Sequence, residues 1–435
     1  MFSVIITTHN SARHIKKTLD NILHASENIQ KEIILVDDGS TDNTRNIIKE
    51  FNNIKVIYQD NKGVSTARNK ALSFVSDKSK LITFIDDSDK VSSNFFENHL
   101  LFFEQNTDIN ITFSPIINVQ NKNLKRNPLN YCFDTDKNIV NIFEDYKYIR
   151  FHIGGVVFRS NILKTIQNPF DQNIHFWEDA KMINSLIVKY KEYGLVKDVH
   201  YFYNLDDENS LSKASWSKSE RYSYHIKNNY LYMIDLSLYY YGVVIDYIQY
   251  LILVHYSQFL LSHNLENINI TNIKDPNFIH TSQIVFKYID KNIIYNSNLD
   301  KRYRLFLYNL KGISTYRYLK DIKIWIHNFD ILKKEIIFSF SDEANYIKKN
   351  SRVYIKRKYG NHKINLCKKR KKDILHYLSP DFSMNIFSVK LTFLELFKNN
   401  IFIIEDTENN LSVEILSESV FLRLIRKMIK LCKRG

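Results

Sequence analysis

Cysteine, glycine and proline are scarce in this 435-residue chain, and each scarcity excludes a class of protein. The three cysteines, Cys132, Cys367 and Cys432, lie far apart and form no CxxC pair. Their spacing excludes a disulfide scaffold and a structural zinc site and favours a reducing compartment. Only 9 glycines and 5 prolines occur, which is too few for a collagen-like, linker-like or low-complexity chain.

Signals for export and for membrane insertion are also missing from the sequence. The segment that starts at Met1 has no basic region followed by a long apolar run, so it predicts a strand rather than a signal peptide. The stretch from Leu231 to Leu261 lacks Lys and Arg but contains Asp235 and Asp246. Each aspartate would cost about 2.5–3.5 kcal/mol at the centre of a membrane helix. We therefore predict a buried, tyrosine-rich helical segment there.

The chain does have a large apolar fraction and a concentration of basic charge towards its C-terminal end. Hydrophobic residues make up 44% of the chain and aromatic residues 14%, which supports folded cores in roughly two or three domains. The stretch from Arg352 to Lys372 has ten basic residues and that from Ser419 to Gly435 has six, with no acidic residue in either. These sixteen exceed the net charge of +14, so the rest is near neutral and no nucleic-acid partner is expected.

Residues 1 to about 120 alternate short apolar runs with helical patterns, which is typical of βαβ units in a mostly parallel sheet. The strands are continuous runs of Val, Ile and Leu, as expected when helices cover both faces. The predicted strands are Ser3–Thr8, Glu32–Val36, Ile54–Tyr58 and Leu81–Ile85, and the predicted helices are Ala12–Ala25, Asn43–Phe51 and Val64–Val75.

The pattern changes beyond residue 120, where strands become fewer and helices longer. We predict mainly helices over about 216–345, then a small region with strands. The remaining predicted elements are the strands Val156–Phe158, Leu195–Tyr203, Met384–Phe393, Asn400–Glu405 and Leu411–Leu416, the helix Glu178–Tyr190, and a turn at Thr407–Asn410.

Polar clusters follow three of the predicted strands, and ligands of parallel sheets bind at the carboxyl ends of strands. Asp38 can accept a base N–H or a ribose hydroxyl, while its neighbours also suit a helix cap. The aspartates at 86, 87 and 89 suit Mg²⁺ or Mn²⁺ with a diphosphate, and an acidic turn is about equally expected. The clusters are Thr8-His9-Asn10, Asp37-Asp38-Gly39 and Asp86-Asp87-Ser88-Asp89.

Two further motifs begin helices. Gly63 precedes a helix whose free N–H groups favour anions, and Arg68, about a turn inside, can reach a nucleotide or lie at the surface. Glu178 and Asp179 open another helix, where the macrodipole stabilises negative charge. One of these carboxylates can act as a general base on a hydroxyl, although ordinary helix-start chemistry explains such a pair in isolation.

In order and spacing, these motifs resemble the family 2 glycosyltransferases. The resemblance covers about residues 1–210 and implies an inverting enzyme of the GT-A fold, Rossmann-like, that uses a nucleotide-diphosphate sugar, with UDP-sugars favoured. The catalytic base would be Asp179, supported by Glu178. The nucleotide site would consist of Thr8, His9, Asn10, Asp38, Arg68 and Asp86.

The resemblance also implies Mn²⁺ or Mg²⁺ bound by the aspartates that follow Asp86. The family usually has Asp-Ser-Asp-Asp, whereas this chain has Asp-Asp-Ser-Asp. An ungapped alignment puts Ser88 at a usual carboxylate position, and a one-residue slip supplies Asp87 and Asp89 instead. We expect Asp89 as the main metal ligand and Asp87 as the second.

Two more segments match the family weakly. Gly154 and Gly155 resemble the turn before the acceptor site, where small residues let a sugar approach the backbone, and a bulge or tight turn explains them equally well. Tyr201–Tyr203 and Asn209–Ser212 lie where the family often closes over its donor. The helical accessory region resembles that of capsule and teichoic-acid glycosyltransferases, which implies a hexosyl- or N-acetylhexosaminyltransferase building a bacterial surface polymer.

The predicted plan is a catalytic domain at 1–215, a helical accessory region at 216–345, a small basic β-containing region at 346–418 and an amphipathic helix at 419–435. At about 100° per residue, that helix has opposite apolar and basic faces. Such a helix can lie on an anionic membrane or pack on the protein. The membrane interpretation predicts a cytoplasmic enzyme, peripheral at the inner face of the membrane.

The expected partners are a nucleotide-sugar donor and a glycan, polyol-phosphate or lipid-linked acceptor. Two alternatives stay open. One is a binding protein, either a catalytically inactive relative or a basic module for an anionic polymer; the other is a polyol-phosphate transferase on a similar sheet.

Overall fold

The computed structural model describes residues 1–206, 214–261, 269–313, 322–340, 352–370, 375, 384–406, 411–423 and 425–426. The chain divides into two compact units, Met1–His255 and Tyr256–Gly435. The predicted segments Asn209–Ser212 and Thr407–Asn410 lie outside the described residues.

An eight-stranded mixed sheet forms the centre of the first unit, in the order β3-β2-β1-β4-β10-β6-β11-β9. Strands β3, β2, β1 and β4 pair in parallel, and β10 runs antiparallel to β4 and β6. This confirms the predicted α/β sheet of GT-A type. Its strands are β1 (Phe2–Thr8), β2 (Lys31–Asp38), β3 (Lys55–Gln59), β4 (Leu81–Asp86), β6 (Ile111–Phe113), β9 (Ile139–Asn141), β10 (Val156–Arg159) and β11 (Glu192–Leu195).

A second sheet of four strands has the order β5-β12-β7-β8. It pairs residues far apart in sequence, since Tyr201 of β12 lies opposite Val91 of β5 on one side and Ile116 of β7 on the other. The strands are β5 (Lys90–Val91), β7 (Ile116–Gln120), β8 (Asn123–Arg126) and β12 (Tyr201–Asn204).

Helices cover the large sheet because their apolar faces match its apolar strands. Ile15, Leu19 and Ile22 of α1 are fully buried against Val4 and Ile6 of β1 in one core. The helices of this unit are α1 (Ile15–Ala25), α2 (Thr44–Ile48), α3 (Val64–Leu72), α4 (Phe95–Gln105), α5 (Ser160–Lys164), α6 (Glu178–Tyr190), α7 (Ser223–His225) and α8 (Leu231–Tyr241), and α9 (Asp246–Leu261) contains the boundary of the two units.

The predicted single strand Leu195–Tyr203 is wrong, because its two ends belong to different sheets. β11 ends at Leu195 and β12 begins at Tyr201. Val196 and Val199 in the connection are buried at 6% and 0% exposure, so this apolar run reflects passage through the core rather than a continuous strand.

The second unit begins with helices and ends with a seven-stranded antiparallel sheet, in the order β13-β14-β17-β16-β15-β18-β19. Phe338, Phe387 and Phe402 pack together in its core. Its elements are α10 (Ile270–Lys274), α11 (Pro276–Tyr288), α12 (Lys291–Tyr295), α13 (Lys301–Leu310), β13 (Ile324–Asp330), β14 (Glu335–Phe340), β15 (Arg352–Arg357), β16 (Gly360–Arg370), β17 (Met384–Lys390), α14 (Phe393–Phe397), β18 (Asn400–Asp406) and β19 (Leu411–Ser417).

Two predictions for this unit are wrong in detail. The stretch 216–345, predicted to be mainly helical, contains the strands β13 and β14 near its end. They form there because alternate residues such as Ile336 and Phe338 are buried on one face. The predicted strand Met384–Phe393 ends at Lys390. There Thr392 and Glu395 form a reciprocal capping box that starts α14.

The basic stretch Arg352–Lys372 forms the hairpin of β15 and β16 up to Arg370, and Lys371 and Lys372 lie outside the described residues. Of the segment 419–435, residues 419–423 and 425–426 are described, and 420–423 and 425–426 are helical. Within the described parts of the chain, no helix combines the length and apolar character that crossing a membrane requires.

Candidate active site

The parallel register brings the polar strand ends together at one edge of the large sheet. Thr7 lies opposite Asp86, and Thr8 lies opposite Asp37, because β1 pairs with both β4 and β2. Thr8 is 2% exposed, so its hydroxyl lies beneath the site surface rather than on it. The sheet therefore places all three predicted clusters side by side, as the strand-end rule expects.

The carboxylate of Asp38 organises the loop that leads into α3. It accepts hydrogen bonds from Gln59 Nε2 at 2.7 Å and from the backbone N–H groups of Lys62 and Gly63 at 2.8 Å each. A carboxylate offers about four acceptor positions, so three donors leave room for roughly one more. Asp38 therefore fixes this loop, in addition to its predicted contact with the base.

His9 and Asn10 connect the strand ends to their neighbouring loops. The Nδ1 of His9 lies 2.8 Å from the carbonyl oxygen of Asp38, and its backbone N–H donates to Asp87 at 3.4 Å. Asn10 has a φ of 54°, and its side-chain oxygen accepts the N–H of Thr41 at 2.7 Å. Both residues remain exposed, so they can still line a nucleotide pocket.

Arg68 joins the nucleotide side of the site to the predicted catalytic pair. Its guanidinium donates to Asp86 Oδ1 at 2.9 Å and to Glu178 Oε1 at 3.1 Å. It lies 5.3 Å from the centre of the Phe170 ring and is 4% exposed. The surface alternative for Arg68 is therefore wrong, and this buried cation holds two carboxylates that are 92 residues apart in sequence, from 86 to 178.

Glu178 and Asp179 begin α6 just after a residue with unusual backbone geometry. Trp177 adopts the left-handed conformation, with φ 73° and ψ 16°, and turns the chain into the helix. The two carboxylate oxygens of Asp179 accept the N–H of Ala180 at 2.7 Å and that of Ile153 at 3.2 Å. Asp179 is partly exposed whereas Glu178 is buried, so Asp179 is the member of the pair that a substrate can reach.

Burial makes both carboxylates more basic than usual. Burial and the charge of Asp179 raise the pKa of Glu178 to about 7, against the opposing effect of Arg68. Burial also raises the pKa of Asp179, while Arg68 lowers it. A carboxylate with a raised pKa is a better proton acceptor near neutral pH, which suits a general base.

The two predicted metal ligands differ in their surroundings. Asp87 accepts the N–H of His9, and burial raises its pKa to about 6. Asp89 is 1% exposed and accepts the hydroxyl of Tyr201 at 2.6 Å and the N–H of Asn204 at 2.8 Å. Burial and the charge of Asp86 raise the pKa of Asp89 well above its ordinary value.

The donor set of this turn fits a hard divalent cation. The charge of Asp86 raises the pKa of Asp87 and of Asp89, and a bound cation would oppose this effect. The described residues contain no group of three or more His, Cys, Asp or Glu side chains arranged to hold a metal. A cation here would therefore take one or two protein carboxylates and complete its shell with phosphate and water.

Residues 3–166 match the sequence profile described as Glycosyl transferase family 2. The minor teichoic acid biosynthesis protein GgaA of Bacillus subtilis (strain 168) is 33% identical over 378 residues, which cover 82% of this chain and 84% of that protein. The chain belongs to glycosyltransferase family 2. It is an enzyme of that class. A second relative, GgaB of the same strain, is 29% identical over 303 residues, which cover 67% of this chain but only 33% of GgaB.

Among solved structures, residues 1–349 of S. aureus TarS resemble this glycosyltransferase with a TM-score of 0.52 and 15% identity. The match covers 78% of this chain and 96% of that one. At this identity the likeness concerns the fold alone, and it agrees with the GT-A arrangement described above.

The resemblance places Tyr201 in a segment near the donor, but the sequence does not predict its contacts with the site aspartates. Its hydroxyl donates to Asp89 and accepts the backbone N–H of Asp86 at 3.2 Å. A Cβ on Gly154 would lie 2.3 Å from the Tyr201 ring, and Gly155 has a φ of 77°. The two glycines thus make room for this ring and for a tight turn. In the sequence, Tyr201-Phe202-Tyr203 is an aromatic run, and nothing in it indicates that Tyr201 contacts Asp86 and Asp89.

Replacing Tyr201 by Phe is expected to lower the free energy of unfolding by about 1.5–3 kcal/mol, because the buried Asp89 carboxylate loses a hydrogen bond. Chemical denaturation measures the change. Tyr58→Phe is the matched control, since Tyr58 is 44% exposed. Equal stability of Tyr201→Phe and wild type would show that the hydroxyl makes no net contribution.

Proposed function

We propose that this glycosyltransferase moves a sugar from a UDP-sugar to a hydroxyl of a surface-polymer acceptor, with inversion at the anomeric carbon. The observation that carries the proposal is the bridge made by Arg68. Through Arg68, Asp86 of the predicted nucleotide site and Glu178 of the predicted catalytic pair belong to one ion-paired cluster. A donor bound along the strand ends would therefore present its sugar towards α6.

In the proposed reaction, Asp179 accepts the proton of the acceptor hydroxyl as that oxygen attacks the anomeric carbon. The bond from that carbon to the diphosphate oxygen breaks in the same step, and the nucleoside diphosphate leaves with the electron pair. Glu178 keeps Arg68 in place through their ion pair, and its negative charge balances that of the guanidinium. One displacement inverts the configuration, and no covalent sugar–enzyme intermediate forms.

We propose that Asp87 and Asp89 hold Mn²⁺ or Mg²⁺ when the donor is bound. The cation would supply positive charge to the diphosphate leaving group. The UDP affinity of Asp87→Asn and of Asp89→Asn is measured with and without Mn²⁺. The variant in which Mn²⁺ no longer strengthens UDP binding identifies the carboxylate that holds the cation. Full metal dependence in both variants would exclude this turn as the metal site.

The acceptor class rests on the two relatives, whose names state a role in minor teichoic acid biosynthesis. We propose an acceptor of that chemical type, a glycan or polyol-phosphate polymer, and a hexosyl or N-acetylhexosaminyl donor. Reaction at the inner face of the membrane would bring the enzyme to a lipid-linked acceptor. In the described part of 419–435, however, Arg423 donates to the Ile324 carbonyl and Arg426 pairs with Glu418, which favours packing on the protein.

Calorimetry with UDP, GDP and CDP, each with and without Mn²⁺, tests the donor site, and NMR of the product tests the transfer. We expect UDP to bind in the micromolar range with metal, and the product anomer to be opposite to that of the donor. Transfer of phosphate together with a polyol would support the phosphotransferase alternative. Binding of an anionic polymer without any nucleotide would support the binding-module alternative.

The raised pKa of Glu178 predicts a pH dependence. We expect kcat/KM to fall as the pH is lowered through about 7, because protonation of Glu178 weakens its ion pair with Arg68. Glu178→Gln keeps an acceptor for Arg68 but does not titrate. It also removes a like charge beside Asp179, so the acid limb should move to lower pH. An unchanged acid limb in Glu178→Gln would assign the pH dependence to another group.

A further inference from the structure

A cavity of about 580 Å³ lies beside α6, away from the strand ends. It is open to solvent and is bordered by the loop of residues 166–173, one face of α6 and one face of α8. This volume falls within the range of pockets that bind small ligands. The uncharged polar side chains of its wall are Asn168, Gln172, Asn173, Ser185, Tyr232 and Tyr240, and the charged ones are Asp171, Lys181 and Lys189.

One residue both lines this cavity and lies against a side chain of the active site. Phe170 forms part of the cavity wall, and its ring lies 5.3 Å from the guanidinium carbon of Arg68. The side chain of Asn69 fixes both backbone groups of Phe170, at 2.7 and 3.0 Å. The cavity also shares α6 with Asp179 and extends from Lys181 to Lys189, about 12 Å along the helix.

The lining suits a polyhydroxyl ligand, because uncharged amide and hydroxyl groups outnumber its charged side chains. The Nζ of Lys181 is occupied by Asp171 at 2.9 Å and by the carbonyl of Asn228 at 3.2 Å, and it lies 4.2 Å from the Tyr232 ring centre. Amide and hydroxyl groups both donate and accept hydrogen bonds, as sugar hydroxyls do. Tyr232 and Tyr240 are 39% and 41% exposed, so their apolar ring surfaces are available to a sugar ring.

We propose that this cavity is an acceptor subsite that binds a neutral sugar unit of the growing polymer at a distance from the hydroxyl that reacts. The inference rests on the proposed function, because it assigns the bound sugar to the acceptor. The donor side is formed by the strand ends at Asp38 and Asp86, whereas the cavity lies along the helix that begins with Asp179. Binding a second unit there would hold the polymer while its end reaches the base.

The test is saturation-transfer NMR with glucose, galactose and their N-acetylated 2-amino forms, in the presence of saturating UDP and Mn²⁺. Tyr232→Ala and Tyr240→Ala remove ring surface from the cavity. Tyr239→Ala is the matched control, because Tyr239 is 81% exposed and is not part of the cavity wall. Tyr232→Phe keeps the ring, and thermal unfolding of each variant reports whether it folds.

We expect at least one sugar to bind, with affinity about 5- to 10-fold lower in each alanine variant and unchanged in Tyr239→Ala and Tyr232→Phe. The acceptor KM should rise in the same variants while the KM for donor stays constant. Binding of no sugar, binding that survives both alanine changes, or binding of glycerol phosphate alone would overturn the subsite. Failure of UDP to bind in the same samples would instead count against the proposed function.

Discussion

Replacing Asp179 by Asn is expected to lower the rate of sugar transfer by about 10²–10⁴-fold, the usual contribution of a general base. The amide has nearly the same shape, but its single oxygen can accept only one of the two N–H groups, those of Ile153 and Ala180. It cannot take a proton from the acceptor hydroxyl. UDP affinity should stay within about twofold of wild type, because the nucleotide contacts proposed for the strand ends are untouched.

Initial-rate assays and calorimetry on the same preparation separate the two effects of Asp179→Asn. The control is Asp235→Asn, which makes the same chemical change at an exposed position of α8. If Asp179→Asn transferred sugar at the wild-type rate, the base would have to be another group, and Glu178→Gln would be the next variant to assay. A parallel loss of UDP binding would instead indicate a disturbed fold.

The parallel half of the sheet could be predicted from sequence because its strands are continuous apolar runs with turn residues between them. β1, β2 and β4 begin and end within a few residues of the predictions. The prediction failed where apolar runs serve another purpose, as in the core-crossing connection after Leu195. It also failed for β13 and β14. There the burial of residues on one face of the strand decides the structure, although the residue types also suit a helix.

The positions of the site aspartates could be predicted for a simple reason: they follow strands, and parallel strand ends meet. What could not be predicted is how other side chains hold them. Tyr201 reaches Asp89 across 112 residues, and Arg68 reaches Glu178 across 110. Such contacts depend on sheet order and on the path of the connections, neither of which a local pattern contains.

Replacing Arg68 by Leu is expected to lower the free energy of unfolding by about 3–5 kcal/mol, because Asp86 and Glu178 lose a buried counter-charge. The pKa of Glu178 should rise further, since Arg68 is the charge that lowers it. The rate of sugar transfer should fall, because Glu178 and Asp179 lose the arrangement that Arg68 holds in place. Arg68→Lys is expected to be intermediate, because one ammonium cannot reproduce the two-armed contact.

Chemical denaturation and transfer assays across pH measure these effects. Arg126→Leu is the matched control, since Arg126 pairs with Asp134 and the two side chains are 54% and 58% exposed. Its loss should cost about 0–1 kcal/mol. In the double variant Arg68→Leu with Glu178→Gln, one of the two stranded charges is gone, so part of the stability should return. If Arg68→Leu were as stable and active as wild type, the ion-paired cluster would not organise the site, and the proposed link between donor and base would fail.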